Sequence, residues 1–134
     1  MRNYNNMTND QTTTEKVLDI RPVTIDASGK KIGRIASEIA FALMGKDRAD
    51  YTPNAIPSIA VTVTGANALD ISDKKKVEKT YKRYSGYPSG QTVSTLERVQ
   101  ADKGNSEVLR HAVHGMLPAN KLRARRLKLL TIEG

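Results

Sequence analysis

"RPVTIDASGKKIGRIASEIAFALMGK", residues 21–46, carries two hydrophobic rhythms in succession, and the change between them decides the fold. At its start apolar and polar side chains alternate. Val23 and Ile25 share one face and Thr24 takes the other, the period of a half-buried strand. Ala27-Ser28-Gly29 then reads as a turn. From Ile32 the period lengthens. Ile32, Ile35, Ala36, Ile39, Ala40 and Leu43 recur at i, i+3, i+4, i+7, i+8 and i+11, one apolar stripe along a helix. Gly45 stands where a left-handed residue would close that helix. Beyond the loop "YTPNAIPS", "IAVTVTG" returns to alternation, with Ile59, Val61 and Val63 facing one way. Strand, helix and strand in this order predict a parallel βαβ unit, because parallel neighbours need a crossover and a helix is the usual one.

Working outward, "ALDIS" and "KTYKRYS" each suit a short strand, which brings the sheet to about four. The last third reads as helical. Thr95 to Gln100 suits one helix, and Ser106 suits the N-cap of a second, with Val108, Leu109, Ala112 and Val113 as its apolar face and Gly115 as its stop. Pro118 suits the first turn of a final, basic helix. On that helix Leu122, Leu129 and Leu130 cluster, and Arg126 falls among them, awkward for a core and natural beside RNA. Residues 1–16, rich in Asn and Thr, are expected to form a disordered polar arm. Residues 17–134 are expected to form a single α/β domain.

The chain has 134 residues, 38% of them hydrophobic, enough for one modest core. No cysteine is present, so neither a disulfide framework nor thiolate chemistry arises. No apolar run is long enough to span a bilayer. The net charge is +8, and it is unevenly placed. Residues 1–72 hold eight basic and eight acidic residues, so the second half supplies the whole excess. Two islands carry it: residues 73–85 with six basic and two acidic residues, and residues 115–134 with five and one. Such clustering suits a grip on a phosphate backbone better than it suits general solubility. Lys74, Lys75, Lys76 and Lys79 lead the first island.

Catalytic chemistry finds little support. "DASGKKIGR" places Lys30, Lys31 and Arg34 at a helix start, where free N–H groups and the dipole favour anions. It matches neither common nucleotide-binding glycine pattern, so a turn or an RNA phosphate contact is the better reading. His111 and His114 sit at i, i+3 without a carboxylate or thiolate partner motif, which argues against a metal site. "YKRYSGYPSG", residues 81–90, is more informative. Tyr84 and Tyr87 flank Ser85-Gly86, Pro88 stiffens the end of the loop, and Lys82 and Arg83 supply cations. Stacking faces, a close-approach glycine and phosphate partners together suit RNA. The competing reading is a hairpin turn whose tyrosines cover a small core.

"IDASGKKIGRIASEIA", "GKDRADYTPN", "YKRYSGYPSG" and "AVHGMLPANKLRARRLKLL" succeed one another in the order and spacing of a known family. From about Val23 onward the chain resembles the bacterial large-subunit ribosomal proteins of family L-thirteen, the universal uL-thirteen type. The resemblance implies an α/β domain with a parallel-type sheet between helices, three layers in all. It implies binding to large-subunit (23S) ribosomal RNA, contacts with neighbouring ribosomal proteins, early entry into assembly, and a cytoplasmic place in the subunit. It implies no enzymatic activity, no cofactor, no metal, no membrane and no free homo-oligomer. The family's RNA-facing segments fall on the helix start, on Lys46, Arg48 and Tyr51 of the "YTP" segment, on the tyrosine loop, and on Met116 through Lys128. That last segment includes Asn120, Lys121, Arg123, Arg125 and Arg126. Three positions depart from the family habit: no Trp enters the first strand, where Pro22 stands nearby, Tyr84 stands where a His is common, and Arg123 stands where a Gly is common. The rival readings are an RNA-binding translational regulator working off the ribosome and a nucleotide-binding enzyme built on the βαβ unit.

Overall fold

The computed structural model describes residues 21–134. The arm expected over 1–16 and the start of the domain at 17 lie outside the described residues. β1 (Arg21–Asp26), α1 (Ile32–Met44) and β2 (Ile59–Thr64) form the expected unit. β1 and β2 pair in parallel, with Val23 opposite Val61 and Ile25 opposite Val63. Every residue of the α1 stripe is buried. Gly45 closes the helix at φ 72°. Its N–H donates to the Ala42 carbonyl at 2.9 Å and the Lys46 N–H donates to Phe41 at 3.3 Å. Those two bonds make a Schellman cap, which needs a residue tolerant of the left-handed region.

The sheet has three strands, β1, β2 and then Leu130–Ile132, in that order, and the last is a correction to the sequence reading. Leu129 and Leu130 were expected to continue a helix from Pro118. Instead α4 covers only Arg123–Leu127, and Leu130–Ile132 becomes β5, parallel to β2. The Val61 N–H donates to the Leu129 carbonyl at 2.9 Å and the Glu133 N–H to Val63 at 2.8 Å. These bonds satisfy the second edge of β2 while Leu130 enters the core, a gain another helical turn could not match.

Of the other two strands expected, "ALDIS" supplies a single parallel bridge between Lys31 and Asp70, after a 3-10 turn at Ala66–Ala68. "KTYKRYS" does form a strand, β3 (Thr80–Tyr84), but it pairs antiparallel with β4 (Gln91–Thr95) in a separate hairpin. The lysine run before it coils into a short helix, α2 (Asp73–Glu78).

The two helices expected over 95–114 both form and adjoin without a linker as α3 (Leu96–Met116), divided by a kink at Gly104, whose φ 80°, ψ 175° is far from helical. Thr95 caps its start, the Oγ1 accepting the Arg98 N–H at 3.4 Å. Ser106 is not the N-cap and Gly115 is not the stop. The helix ends because Leu117, at φ −76° and ψ 145°, precedes Pro118, which bars the helical region to it. α1 packs against both β2 and α3. Ile35, Ile39, Leu43, Val61, Val63, Val108, Leu109 and Val113 are wholly enclosed in the resulting core. Each contributes on the order of 1.5–3 kcal/mol by leaving water.

Candidate nucleic-acid interface

The hairpin separates the three tyrosines that the sequence groups together. Strand alternation puts Tyr81 and Arg83 on one face and Lys82 and Tyr84 on the other. Tyr81 turns inward. Its ring stacks on His111 of α3, centroids 5.1 Å apart and planes at 29°. Partial burial pushes its hydroxyl pKa up. The Lys79 ammonium lies 5.8 Å from the ring centroid. Tyr84 and Tyr87 point out, 66% and 76% exposed, and the core has no use for them. Between them the loop is tied by the Ser85 N–H donating to Gly90 at 3.2 Å and the Gly90 N–H to Tyr87 at 2.9 Å. Gly86 sits at φ 91°. Lys82, Arg83, Ser85 and Pro88 are exposed beside them.

The lysines of α2 are not equivalent. Lys76 donates to Asp73 Oδ1 at 2.8 Å. That bond holds the Asp73 carboxyl below the usual carboxylate range and pushes the Lys76 ammonium up. Lys74 lies 3.8 Å from Glu78. Lys75 and Lys79 have no carboxylate within ion-pair distance among the described residues. They rim a cleft of about 340 Å³ that also reaches Gly33, Tyr81, His111, Gly115 and Met116. Lys30, Lys31 and Arg34 are exposed at the start of α1, with Lys30 3.8 Å from Glu38. That first turn has no acidic residue and no side-chain cap, so its N–H groups favour an anion.

The second island divides more sharply. Lys121, Arg125 and Lys128 are exposed. Asn120 shapes the turn, its Oδ1 accepting the Leu122 N–H at 3.1 Å. Arg123 closes the end of α3: its Nε donates to Pro118 at 3.1 Å and its Nη2 to Leu117 at 3.2 Å. Its backbone is helical, so the position needs no glycine. Arg126 corrects the sequence reading. It is 2% exposed, and its Nη2 donates to the Pro53 and Ala55 carbonyls, each at 3.3 Å. A position on an apolar face is buried whatever residue occupies it. Here the long stem packs while the guanidinium finds carbonyls.

Arg126 thereby fixes the 45–58 loop against α4. In that loop Lys46 and Tyr51 are exposed and Arg48 is engaged by Asp50 at 2.8 Å. One island thus borders the N-terminal end of α1 through the cleft, and the other is tied to the loop leaving its C-terminal end. The His111–Tyr81 stack and the buried Asn105, whose Nδ2 donates to Asn67 at 3.0 Å, had no periodic signal in the sequence. No described helix is long and apolar enough to cross a membrane.

Comparison with known proteins meets this geometry. The family profile "Ribosomal protein L13" matches residues 20–132. The large ribosomal subunit protein uL13 of Thermus thermophilus is 43% identical over 122 residues, 91% of this chain and 86% of its own length. That of Gloeothece citriformis is 41% identical over 107 residues, 80% of this chain and 70% of its own. A parallel βαβ core that projects a basic, tyrosine-tipped hairpin, and matches that profile over nearly all its described length, belongs to the ribosomal protein L13 family.

Proposed function

We propose that this structural protein of the large ribosomal subunit binds large-subunit ribosomal RNA through two basic surfaces and enters assembly early as a monomer. Neighbouring ribosomal proteins are its other partners. The observation that carries this reading is the hairpin. Tyr84, Tyr87, Lys82 and Arg83 are exposed to solvent, where an aromatic costs exposure unless something covers it. Stacked bases and paired phosphates are the cover that fits both side-chain types. The exposed helix start of α1, the Lys46–Tyr51 segment, and Lys121, Arg125 and Lys128 extend the positive surface. The protein is a ribosomal one and not an enzyme. The turn before α1 suits that role: the Gly29 N–H already donates to Ala68 at 2.8 Å and so is not available to a nucleotide phosphate.

The test is a sucrose gradient of cell extract carrying tagged protein, with binding of the purified chain to large-subunit rRNA measured over a salt series. Sedimentation in the large-subunit peak is expected, with affinity falling steeply as salt rises. Retention in the soluble fraction after ribosomes are pelleted would instead favour a regulator working off the ribosome.

A further inference from the structure

We propose that the cleft between the N-terminal end of α1 and the C-terminal end of α3 receives one unstacked RNA base, whose phosphate is held by Lys75 and Lys79. This rests on the reading that the protein binds rRNA, and it names a site within that contact. The cleft measures about 340 Å³, at the small end of the roughly 300–1,000 Å³ typical of ligand pockets. Its floor is apolar: Ile32, Leu96, Ala112 and the exposed Met116. Its wall is aromatic, because His111 is already stacked on Tyr81, and a base entering beside it extends that stack by one ring. Its room is built in. Gly33 and Gly115 are among its lining residues, and a Cβ built on either meets nothing within 4 Å.

The rim decides the class of occupant. A peptide side chain would suit the apolar floor and leave two ammonium groups unmatched. A nucleotide satisfies both, with a flat apolar body inside and a phosphate at the edge. The position beside the hairpin fits a single strand that passes Lys82 and Arg83 before a base turns in.

Gly115 provides the test. It has no positive φ, and space lies open before it, so Gly115→Leu fills the cleft without straining α3. The full chain is measured by filter binding to large-subunit rRNA transcript, with thermal melts in parallel. The wild-type complex is irradiated with ultraviolet light and its cross-linked peptides are mapped. Gly115→Leu is expected to melt as wild type yet bind roughly 5- to 150-fold more weakly, the range spanned by loss of one stacked base. Gly115→Ala is expected to stay near wild type. The cross-link is expected to join one nucleotide to the peptide holding Tyr81 or His111.

The exposed pair Lys75→Gln and Lys79→Gln keeps the test open should the leucine variant melt early. It should weaken binding and reduce the log–log salt slope by about 0.7–0.9 per contact. Wild-type affinity in both the leucine variant and the lysine pair overturns the cleft while leaving rRNA binding intact. A cross-link from the cleft to a neighbouring ribosomal protein also overturns it. Failure of the wild-type chain to bind the transcript overturns both the cleft and the function it rests on.

Discussion

Tyr81, Tyr84 and Tyr87 are three apart in sequence and part company in space, which makes their truncations separable. Tyr81→Ala removes a half-buried stacked ring and is expected to lower stability by roughly half the ~3–5 kcal/mol of a buried aromatic. Tyr84→Ala and Tyr87→Ala are expected to change stability by less than about 0.5 kcal/mol. They should cost about 1–3 kcal/mol of RNA binding. Gly86→Val meets no steric neighbour, so its cost of about 1–3 kcal/mol comes from φ 91° alone and falls on an exposed tip. It should therefore impair entry into the subunit more than folding. Denaturant midpoints of the free variants, set beside their share of the large-subunit peak in competition with wild type, measure both. Tyr84 or Tyr87 variants that unfold early yet assemble normally would contradict an RNA-contact role.

Charge at single residues gives a second prediction. Asp26 is held below its ordinary value of 3.8 by the Ser28 N–H, and Asp73 below the same value by Lys76. A depressed carboxylate contributes stability above its unfolded value and loses it as pH falls through the folded one. Lys76 is raised above 10.5, so its contribution is full below that value and is lost only as pH rises through the raised one. Stability from these groups is thus level between the two limits and declines in acid below about pH 4. Denaturant midpoints against pH should show an acid limb that Asp26→Asn and Asp73→Asn flatten. Asp73→Asn also releases Lys76, so rRNA affinity at neutral pH should rise. An unchanged affinity would mean that Lys76 meets no phosphate.

At the scale of elements, α4 and the 45–58 loop depend on one side chain. Arg126→Ala removes a buried stem and is expected to destabilise by about 2–5 kcal/mol, as large-to-small changes in cores do. Arg126→Met keeps the stem and removes a costly buried cation, while the Pro53 and Ala55 carbonyls, on exposed residues, can turn to water. Its loss should be clearly smaller in thermal melts. Equal losses would assign the stability to the guanidinium instead of the stem. The same residue shows what sequence can and cannot tell. α1 was legible because its apolar positions repeat over a dozen residues and nothing competes with them. Arg126 was legible in position and misread in role, since an apolar side can be filled by a stem as well as by a leucine. β5 was not legible, because three residues are too few to show alternation and a leucine pair suits helix or strand equally. The hairpin was found as one strand and placed in the wrong sheet, since strand pairing is a tertiary choice. In the candidate site, exposed tyrosines and lysines were readable from composition. The ion pairs that blunt Lys74 and Lys76 were not.

The whole molecule carries its excess charge in two clusters, each tied to a different end of α1. Without RNA each cluster repels itself. Added salt should screen that repulsion and raise the melting temperature of the isolated protein from low to moderate ionic strength. A melting temperature that falls over that range would contradict the expectation. The order of the sheet has a further consequence, in time instead of space. β2 is the central strand, and β5, its second neighbour, comes after every other described element along the chain. While the protein is being made, β1, α1 and β2 can assemble first, leaving the Ala60–Thr64 edge bare until the segment after α4 emerges. A nascent chain stalled before Leu129 therefore presents an open, valine-rich strand to whatever lies nearby, including another stalled copy. Quality control of this protein would act on unfinished chains, and a chaperone that covers a strand edge would protect this one until β5 emerges to pair with it.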